Sequence, residues 1–491
     1  MAKPLADKSI AILGAGMSGL CAAIKLREAG FYNITIYEKS DGVGGTWRDN
    51  TYPGSGCDVP SHLYSFSFEL KPDWDKKWSR QPAILRYFEH CANKYDLRRH
   101  LKLSTEITAA IWDEDAYKWR LTTADGERYE HDAVISGLGQ LNRPMPIDYP
   151  GAEAFEGPGF HSARWDHSVD LDDKIVAVIG NGPSAAQFIP EIAPRVKKMI
   201  NLQRSPSWVR SRGNLTYSTA QIDKFSAGDW RMKVYRAWMF WGLEIGFAAF
   251  KKGSRLAGAL KKRCLDHLYV QITEPAKRAL LTPSYTPGCK RIVISDDYYP
   301  ALARDNVKIV RAGLDKLTSN GIVDTNGTMH ACDVVIFATG FQSTGFLAPM
   351  TVTGVNGVKL SDVWENGAEA HRGVALSGFP NFFMLYGPNT NLGHNSIIYM
   401  VETQVNYVVR CLEKLRDDRL TAMQPKKVAQ MAFNEDIQLR AARTVWASDC
   451  DNWYKTESGK ITNNWPSYPW KYRRQMNEPR FSEYDLLRVK A

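Results

Sequence analysis

The sequence predicts an α/β fold in which one strand, glycine turn, helix and strand unit occurs twice. Three observations carry this: a glycine motif behind each of two buried-strand patterns, equal spacing within the two copies, and matched closing hairpins. In the first copy Ile10-Ala11-Ile12-Leu13 reads as a buried strand and Gly14-x-Gly16-x-x-Gly19 as the turn. Leu20 to Ala29 follows as a helix, and Ile34-Thr35-Ile36-Tyr37 as a second strand ending at Glu38. This order is the dinucleotide-binding βαβ unit. Its first glycine permits a tight turn, its second lets a pyrophosphate reach the backbone at the helix N-terminus, and its third lets helix and strand approach closely. Glu38 stands where a carboxylate accepts hydrogen bonds from a ribose diol.

The second copy begins at Val176-Ala177-Val178-Ile179 and continues through Gly180-x-Gly182-x-x-Ala185. Ser184 lies inside this motif, and the next strand, Met199 to Leu202, ends in Gln203-Arg204-Ser205. Gly14 to Glu38 and Gly180 to Arg204 are each 24 positions, so Arg204 replaces the carboxylate. A carboxylate repels a 2′-phosphate and a guanidinium binds one. The first site therefore suits a ribose diol, as in FAD, and the second prefers NADPH to NADH. Asp125-Gly126 and Asn326-Gly327 are hairpin turns. Each is followed six positions after its glycine by an Asp that opens a strand (Asp132, Asp333), and seven positions later by Gly139 or Gly340. Two Rossmann-like dinucleotide-binding domains are expected. The first comprises residues 1–146 and 341–491 and the second residues 147–340, joined by linkers at Gln140 to Pro150 and Thr339 to Ser343.

The second copy is 35 residues longer between its first glycine and its hairpin glycine, which predicts a helical insert at about 215–280. Trp230 to Phe250 is apolar and aromatic, and Lys251, Lys252, Arg255, Lys261, Lys262 and Arg263 follow it. Residues 230–263 read either as an interfacial contact with a membrane surface or as an insert packed over a cleft. Glu244, Gly242 and Gly246 interrupt the run and favour the insert. Phe382 to Tyr386 reads as a strand returning to the first domain. The loop Gly387-Pro388-Asn389-Thr390-Asn391 and a helix from about Ser396 to Leu415 come next. The start of that helix, at Ile397, is placed to face a flavin pyrimidine ring.

At 491 residues the chain exceeds one hydrophobic core. With 44% hydrophobic and 24% charged residues it is neither disordered, collagen-like nor membrane-embedded, and no run reaches 18 apolar residues. The net charge of +10 is dispersed, which suits a phosphate-bearing ligand better than nucleic acid. Eight cysteines form no C-x-x-C pair, so no metal site or dithiol motif is offered, and reduced thiols in a cytoplasm are expected. The apolar run from Ile10 leads straight into the glycine motif and lacks the features of a signal peptide.

The stretch Phe155-x-Gly157-x-x-x-His161-x-x-x-Trp165-Asp166 matches the fingerprint F-x-G-x-x-x-H-x-x-x-W-[P/D] of Baeyer–Villiger monooxygenases. Gly44-Gly45-Thr46-Trp47-x4-Tyr52-Pro53-Gly54-x3-Asp58 matches a second fingerprint of that family, and Pro287-Gly288-Cys289-Lys290-Arg291 resembles the segment bearing its active-site arginine. The chain thus resembles class B flavoprotein monooxygenases of the hydroxyacetophenone and phenylacetone type, from the first glycine motif to about residue 415. The resemblance implies that NADPH reduces FAD, that reduced flavin and O2 form a C4a-peroxyflavin, and that this attacks a ketone to give an ester or lactone. It implies Arg291 as the catalytic cation and Asp58 as the carboxylate that positions it. Lys290 and Arg204, with Ser205 beside them, would clamp the 2′-phosphate. Gly45, Thr46, Trp47, Tyr64, Asn389 and Ile397 would line FAD, with the backbone of Ile107 at the adenine. His161 and Trp165 resemble linker residues that couple domain motion to nicotinamide placement.

Departures follow Trp453-Tyr454, where Lys455-Thr456-Glu457-Ser458-Gly459-Lys460 replaces the family's G-A-N-x-P-G-K run. They put cyclic-ketone preference in question. A flavin monooxygenase acting on N or S centres, or an NADPH oxidase, is the alternative. A disulfide reductase would need two cysteines beside the flavin, and only Cys57 lies there. Monomer and homodimer both stay open.

Overall fold

Two five-stranded parallel sheets repeat one strand order in the computed structural model, which describes residues 8–448, 450 and 452–488. The first runs Phe382–Met384, Ala133–Ser136, Ile10–Leu13, Ile34–Tyr37, Leu101–Lys102. The second runs Gly159–His161, Val334–Phe337, Ile175–Ile179, Lys198–Leu202, Val307–Val310. The central strands are buried throughout, because parallel strands covered on both faces must be continuous apolar runs. Each sheet also carries a small antiparallel meander before its closing strand. One is Ile107–Asp113, Lys118–Thr123 and Arg128–His131; the other is Leu314–Thr318, Gly321–Asp324 and Met329–Ala331.

The outermost strand next to the closing strand differs in origin. In the first sheet it is Phe382–Met384, arriving from far along the chain. In the second it is Gly159–His161, from the middle of the long fingerprint. His161 is the last residue of this strand. Its Nδ1 accepts a hydrogen bond from the Ala163 N–H at 3.0 Å, and its ring lies 6.0 Å from that of Phe341. Gly157 is required for this docking, since a Cβ there would lie 2.2 Å from the Asp333 carbonyl oxygen. Trp165 packs between Phe160 at 5.2 Å and Phe188 at 5.3 Å, seating the fingerprint on the second core.

The two expected linkers lie side by side. Pro144 and Phe341 form an antiparallel bridge. The Met145 N–H donates to the Gly340 carbonyl at 2.9 Å and the Gln342 N–H to the Arg143 carbonyl at 2.9 Å.

The insert consists of Thr219–Ser226, Asp229–Gly246, Arg255–Gln271 and Pro275–Leu281. Ser218 and Gln221 form a reciprocal capping box at its start. Helix Asp229–Gly246 buries Met232, Met239, Phe240 and Glu244, and Met239 and Phe240 pack with Leu63. Arg236 donates to the His62 and Ser65 carbonyls, while the His62 ring contacts Tyr217, Phe225 and Tyr235. The insert is thus fastened to the first unit, although its sequence belongs to the second.

The expectation of reduced thiols throughout is corrected at one pair. Cys289 and Cys450, 161 positions apart, are joined in a disulfide; the other six cysteines are free and buried. No C-x-x-C spacing announced this pair, because tertiary folding alone brings the two loops together.

Buried histidines give the fold a pH dependence. Burial, with Arg236 adding to it, lowers the pKa of His62 to about 4. Burial likewise lowers His131 to about 4, where its ring bridges the Ser9 and Tyr37 hydroxyls. Between about pH 6.5 and 4 the unfolded imidazoles take up protons that the folded ones refuse. Their contribution is therefore whole above this window and declines as pH falls through it. Denaturant unfolding is expected to show stability lower at about pH 5 than at neutrality by roughly 2 kcal/mol for each histidine. A flat profile across that range would contradict this.

Candidate active site

A cavity of about 1270 Å³ runs along the C-terminal ends of both parallel sheets. One end is built on the first glycine turn. Gly14 has φ +95°, a conformation open to glycine and strained for other residues. Gly16 is the N-cap of helix Met17–Glu28, and no side chain caps that helix. Gly19 lies behind the wall, where a Cβ would sit 1.9 Å from the Gly14 carbonyl oxygen; its role is close packing, not ligand contact. Glu38 is 6% exposed and accepts hydrogen bonds from the Ala15 N–H at 2.7 Å and the Ser40 N–H at 2.9 Å. These two amides hold its carboxylate at the cavity edge. Gly45, Thr46, Trp47, Tyr64, Ile107 and Ile397 also line the wall, and Trp47 Nε1 donates to Tyr64 Oη at 3.0 Å.

The other end is built on the second turn. Gly180, Gly182 and Ser184 line it, and Gly182 is the N-cap of helix Pro183–Ile192, again without a side-chain cap. Ala185 is fully buried beneath, in the packing position that Gly19 occupies in the first copy. Arg204, Ser205 and Lys290 line the wall together, and Lys290 Nζ donates to Ser205 Oγ at 3.0 Å.

Between the ends stands Asp58. Its Oδ2 accepts from Arg291 Nε at 3.2 Å and Nη2 at 3.1 Å, and Arg212 Nη2 approaches Oδ1 at 3.8 Å. The strand Val209–Arg210 pairs in parallel with Val293–Ile294, which brings the Arg212 and Arg291 segments together. Asp58 is 11% exposed, while Arg291 keeps 30% of its side chain exposed and borders the cavity. Burial alone would lower the Arg291 pKa, but the Asp58 charge more than offsets this and raises it. Burial pushes the Tyr454 phenol up to about 12 against the opposing pull of Arg291, and pushes the Tyr386 phenol up as well. Arg291 is thus a permanent cation among neutral phenols. Cys57 is a free thiol raised to about 12 by burial, unsuited to dithiol chemistry. Among the described residues no group of His, Cys, Asp and Glu could hold a metal ion.

Besides Gly19 and Ala185, a third expected site residue is off the wall. Asn389 is 2% exposed and absent from the cavity wall; its amide donates to the Ile461 carbonyl at 2.8 Å, tying its loop to the C-terminal segment. Asn391, two residues on, borders the cavity and accepts the Tyr386 hydroxyl at 2.6 Å. Sequence reading also missed Gln187 and Trp453, both on the wall, and Arg212, which stands beside Asp58. Gln187 accepts from the Tyr52 hydroxyl at 2.9 Å and donates to the Gly56 carbonyl at 2.9 Å, fastening the second glycine helix to the loop before Asp58. It sits one turn past Ser184, so its place in the motif helix was available as a signal.

The wall fits two dinucleotides. Both uncapped helix N-termini meet the cavity and leave backbone N–H groups for diphosphates. Gln140 Oε1 and Thr339 Oγ1, on residues bordering the cavity, are buried without hydrogen-bond partners.

Comparison with known proteins agrees with this geometry. Residues 7–222 match a family model described as flavin-binding monooxygenase-like. The chain is 41% identical to a Baeyer–Villiger monooxygenase of Pseudomonas aeruginosa, over 97% of this chain and 91% of that protein. It is 40% identical to one of Streptomyces coelicolor, over 98% and 92%. A crystal structure of cyclohexanone monooxygenase from a Rhodococcus species, bound to NADP+, superposes with a TM-score of 0.87 at 27% identity, covering 98% of this chain and 99% of that one. The chain belongs to the Baeyer–Villiger monooxygenase family.

Proposed function

We propose that this protein is an FAD-containing, NADPH-dependent monooxygenase that inserts one oxygen atom of O2 beside a ketone carbonyl, yielding an ester or lactone. The observation that carries this reading is the Asp58–Arg291 pair, placed between a carboxylate-lined nucleotide end and a cation-lined one. The family membership and the NADP+ held by the cyclohexanone enzyme support it. In this reading residues 1–146 and 341–491 form the flavin domain and residues 147–340 the NADPH domain, with the paired linkers as their hinge.

Bound flavin, once reduced by the nicotinamide, would supply the activated oxygen; the protein supplies orientation and charge. Gly14 and Gly16 would admit the flavin diphosphate, and Glu38 would accept its ribose hydroxyls. Thr46, Trp47 and Tyr64 would line its remainder. Gly180, Gly182 and Ser184 would meet the second diphosphate, with Arg204, Ser205 and Lys290 on the 2′-phosphate. Arg291 holds its proton at any working pH, so it can stabilise negative charge near the carbonyl carbon without entering the proton balance. Asp58 fixes the direction of that guanidinium, and the enclosing wall limits water.

Arg291→Ala is expected to retain NADPH-driven flavin reduction while ester formation falls by about 100-fold or more. Rapid-mixing absorbance and product analysis read the two separately, and undiminished ester yield would overturn the assignment. In Arg204→Ala, loss of a charge-assisted phosphate contact should narrow the preference for NADPH over NADH by roughly 10- to 100-fold in kcat/KM. An unchanged ratio would remove Arg204 from the 2′-phosphate site. Offered a ketone and a sulfide together, the enzyme should give the ester or lactone, whereas sulfoxide alone would favour soft-centre oxidation.

A further inference from the structure

We propose that helix Asp229–Gly246 seats this protein on an anionic lipid surface. Trp230, Val234, Trp238, Trp241 and Ile245 are 64%, 61%, 66%, 54% and 66% exposed. Their spacings of four, four, three and four residues place them on one stripe about 80° wide on a helix that turns 100° per residue. Three indoles standing together in water form an exposed apolar patch of the kind that marks a contact surface. The helix cannot roll to hide them. Its opposite face is buried through Met232, Met239 and Phe240, and Arg236 anchors it to the His62 and Ser65 carbonyls.

Charge identifies the occupant. Exposed Arg231 and Lys233 lie on the two sides of the stripe, and exposed Lys251 and Lys252 follow the helix. No carboxylate stands on the stripe: Glu244 is 2% exposed, and Asp229 lies at the helix start on the far side. An aromatic stripe flanked by cations matches a bilayer interface, where indoles settle at headgroup depth and basic side chains reach lipid phosphates. A second copy is a poorer match, because two chains of net charge +10 would meet cation to cation. No helix among the described residues is long and apolar enough to cross a membrane, so this one lies in the plane of the surface.

The test is flotation of the purified full-length protein with vesicles of phosphatidylcholine alone or mixed with phosphatidylglycerol. Binding to the mixed vesicles, release by salt and a blue shift of tryptophan emission are expected. Trp230→Ala/Trp238→Ala/Trp241→Ala should weaken the partition at least about tenfold. Lys233→Glu/Lys251→Glu should weaken it similarly while leaving every indole in place. Both variants should keep the flavin absorbance and the thermal midpoint, since none of these side chains lines the cavity. Failure of the wild type to float with mixed vesicles, or undiminished flotation of the tryptophan variant, would overturn the proposal. So would a dimer in sedimentation that the tryptophan variant abolishes without any vesicle binding.

Discussion

The contact between Asp58 and Arg291 is where the two halves of this molecule become one site. Asp58 comes from the loop after the short helix Thr46–Asp49, and Arg291 from the segment that follows the insert of the second unit. A largely buried carboxylate facing two guanidiniums leaves the centre with one excess positive charge. Removing the carboxylate would leave both cations uncompensated in a poorly solvated place, which is far costlier than losing a surface pair. The surrounding contacts hold the two segments at that distance. Gln187 clamps the loop that leads to Asp58, and the parallel pairing of Val209–Arg210 with Val293–Ile294 aligns the two arginines. The Cys289–Cys450 disulfide fastens the Arg291 loop to the C-terminal segment that also brings Trp453 to the cavity.

The insert links this centre to the outer surface. Its central helix packs Met239 and Phe240 against Leu63, while the Asn395 amide reaches the Phe240 carbonyl at 3.4 Å. Glu244 accepts from the Trp470 N–H at 2.9 Å and lies 3.4 Å from His394. One side of the helix is therefore committed to the loops that carry Leu63, His394 and Trp470 and the other to solvent. A segment that is amphipathic in this sense reads ambiguously along the chain, because both faces carry aromatic residues.

Much of the site was legible as spacing. The 24-residue interval to Glu38 and to Arg204 located two positions that both border the cavity, since a βαβ unit has nearly fixed geometry and its second strand must end beside the first turn. The long fingerprint was legible as a family mark but not as structure. Only the folded chain shows that Gly159–His161 fills the sheet position taken elsewhere by Phe382–Met384. A loop sequence does not reveal which of two nearby asparagines borders the cavity; the Asn389 amide goes to the C-terminal segment and Asn391 to the cavity.

By itself the sequence determined the duplicated α/β architecture, the position of the insert and the opposite charges at the two ends of the cavity. Each of these follows from local periodicity, glycine stereochemistry or residue type at a fixed interval. The family resemblance anticipated Asp58 with Arg291, but tertiary structure alone decided the other distant pairs: Asp58 with Arg212, Cys289 with Cys450, Gln187 with Gly56, and one linker with the other. Such pairs are separated by more than a hundred residues, and no short-range rule constrains them. They are set when two cores pack against each other and every buried polar group must find a partner.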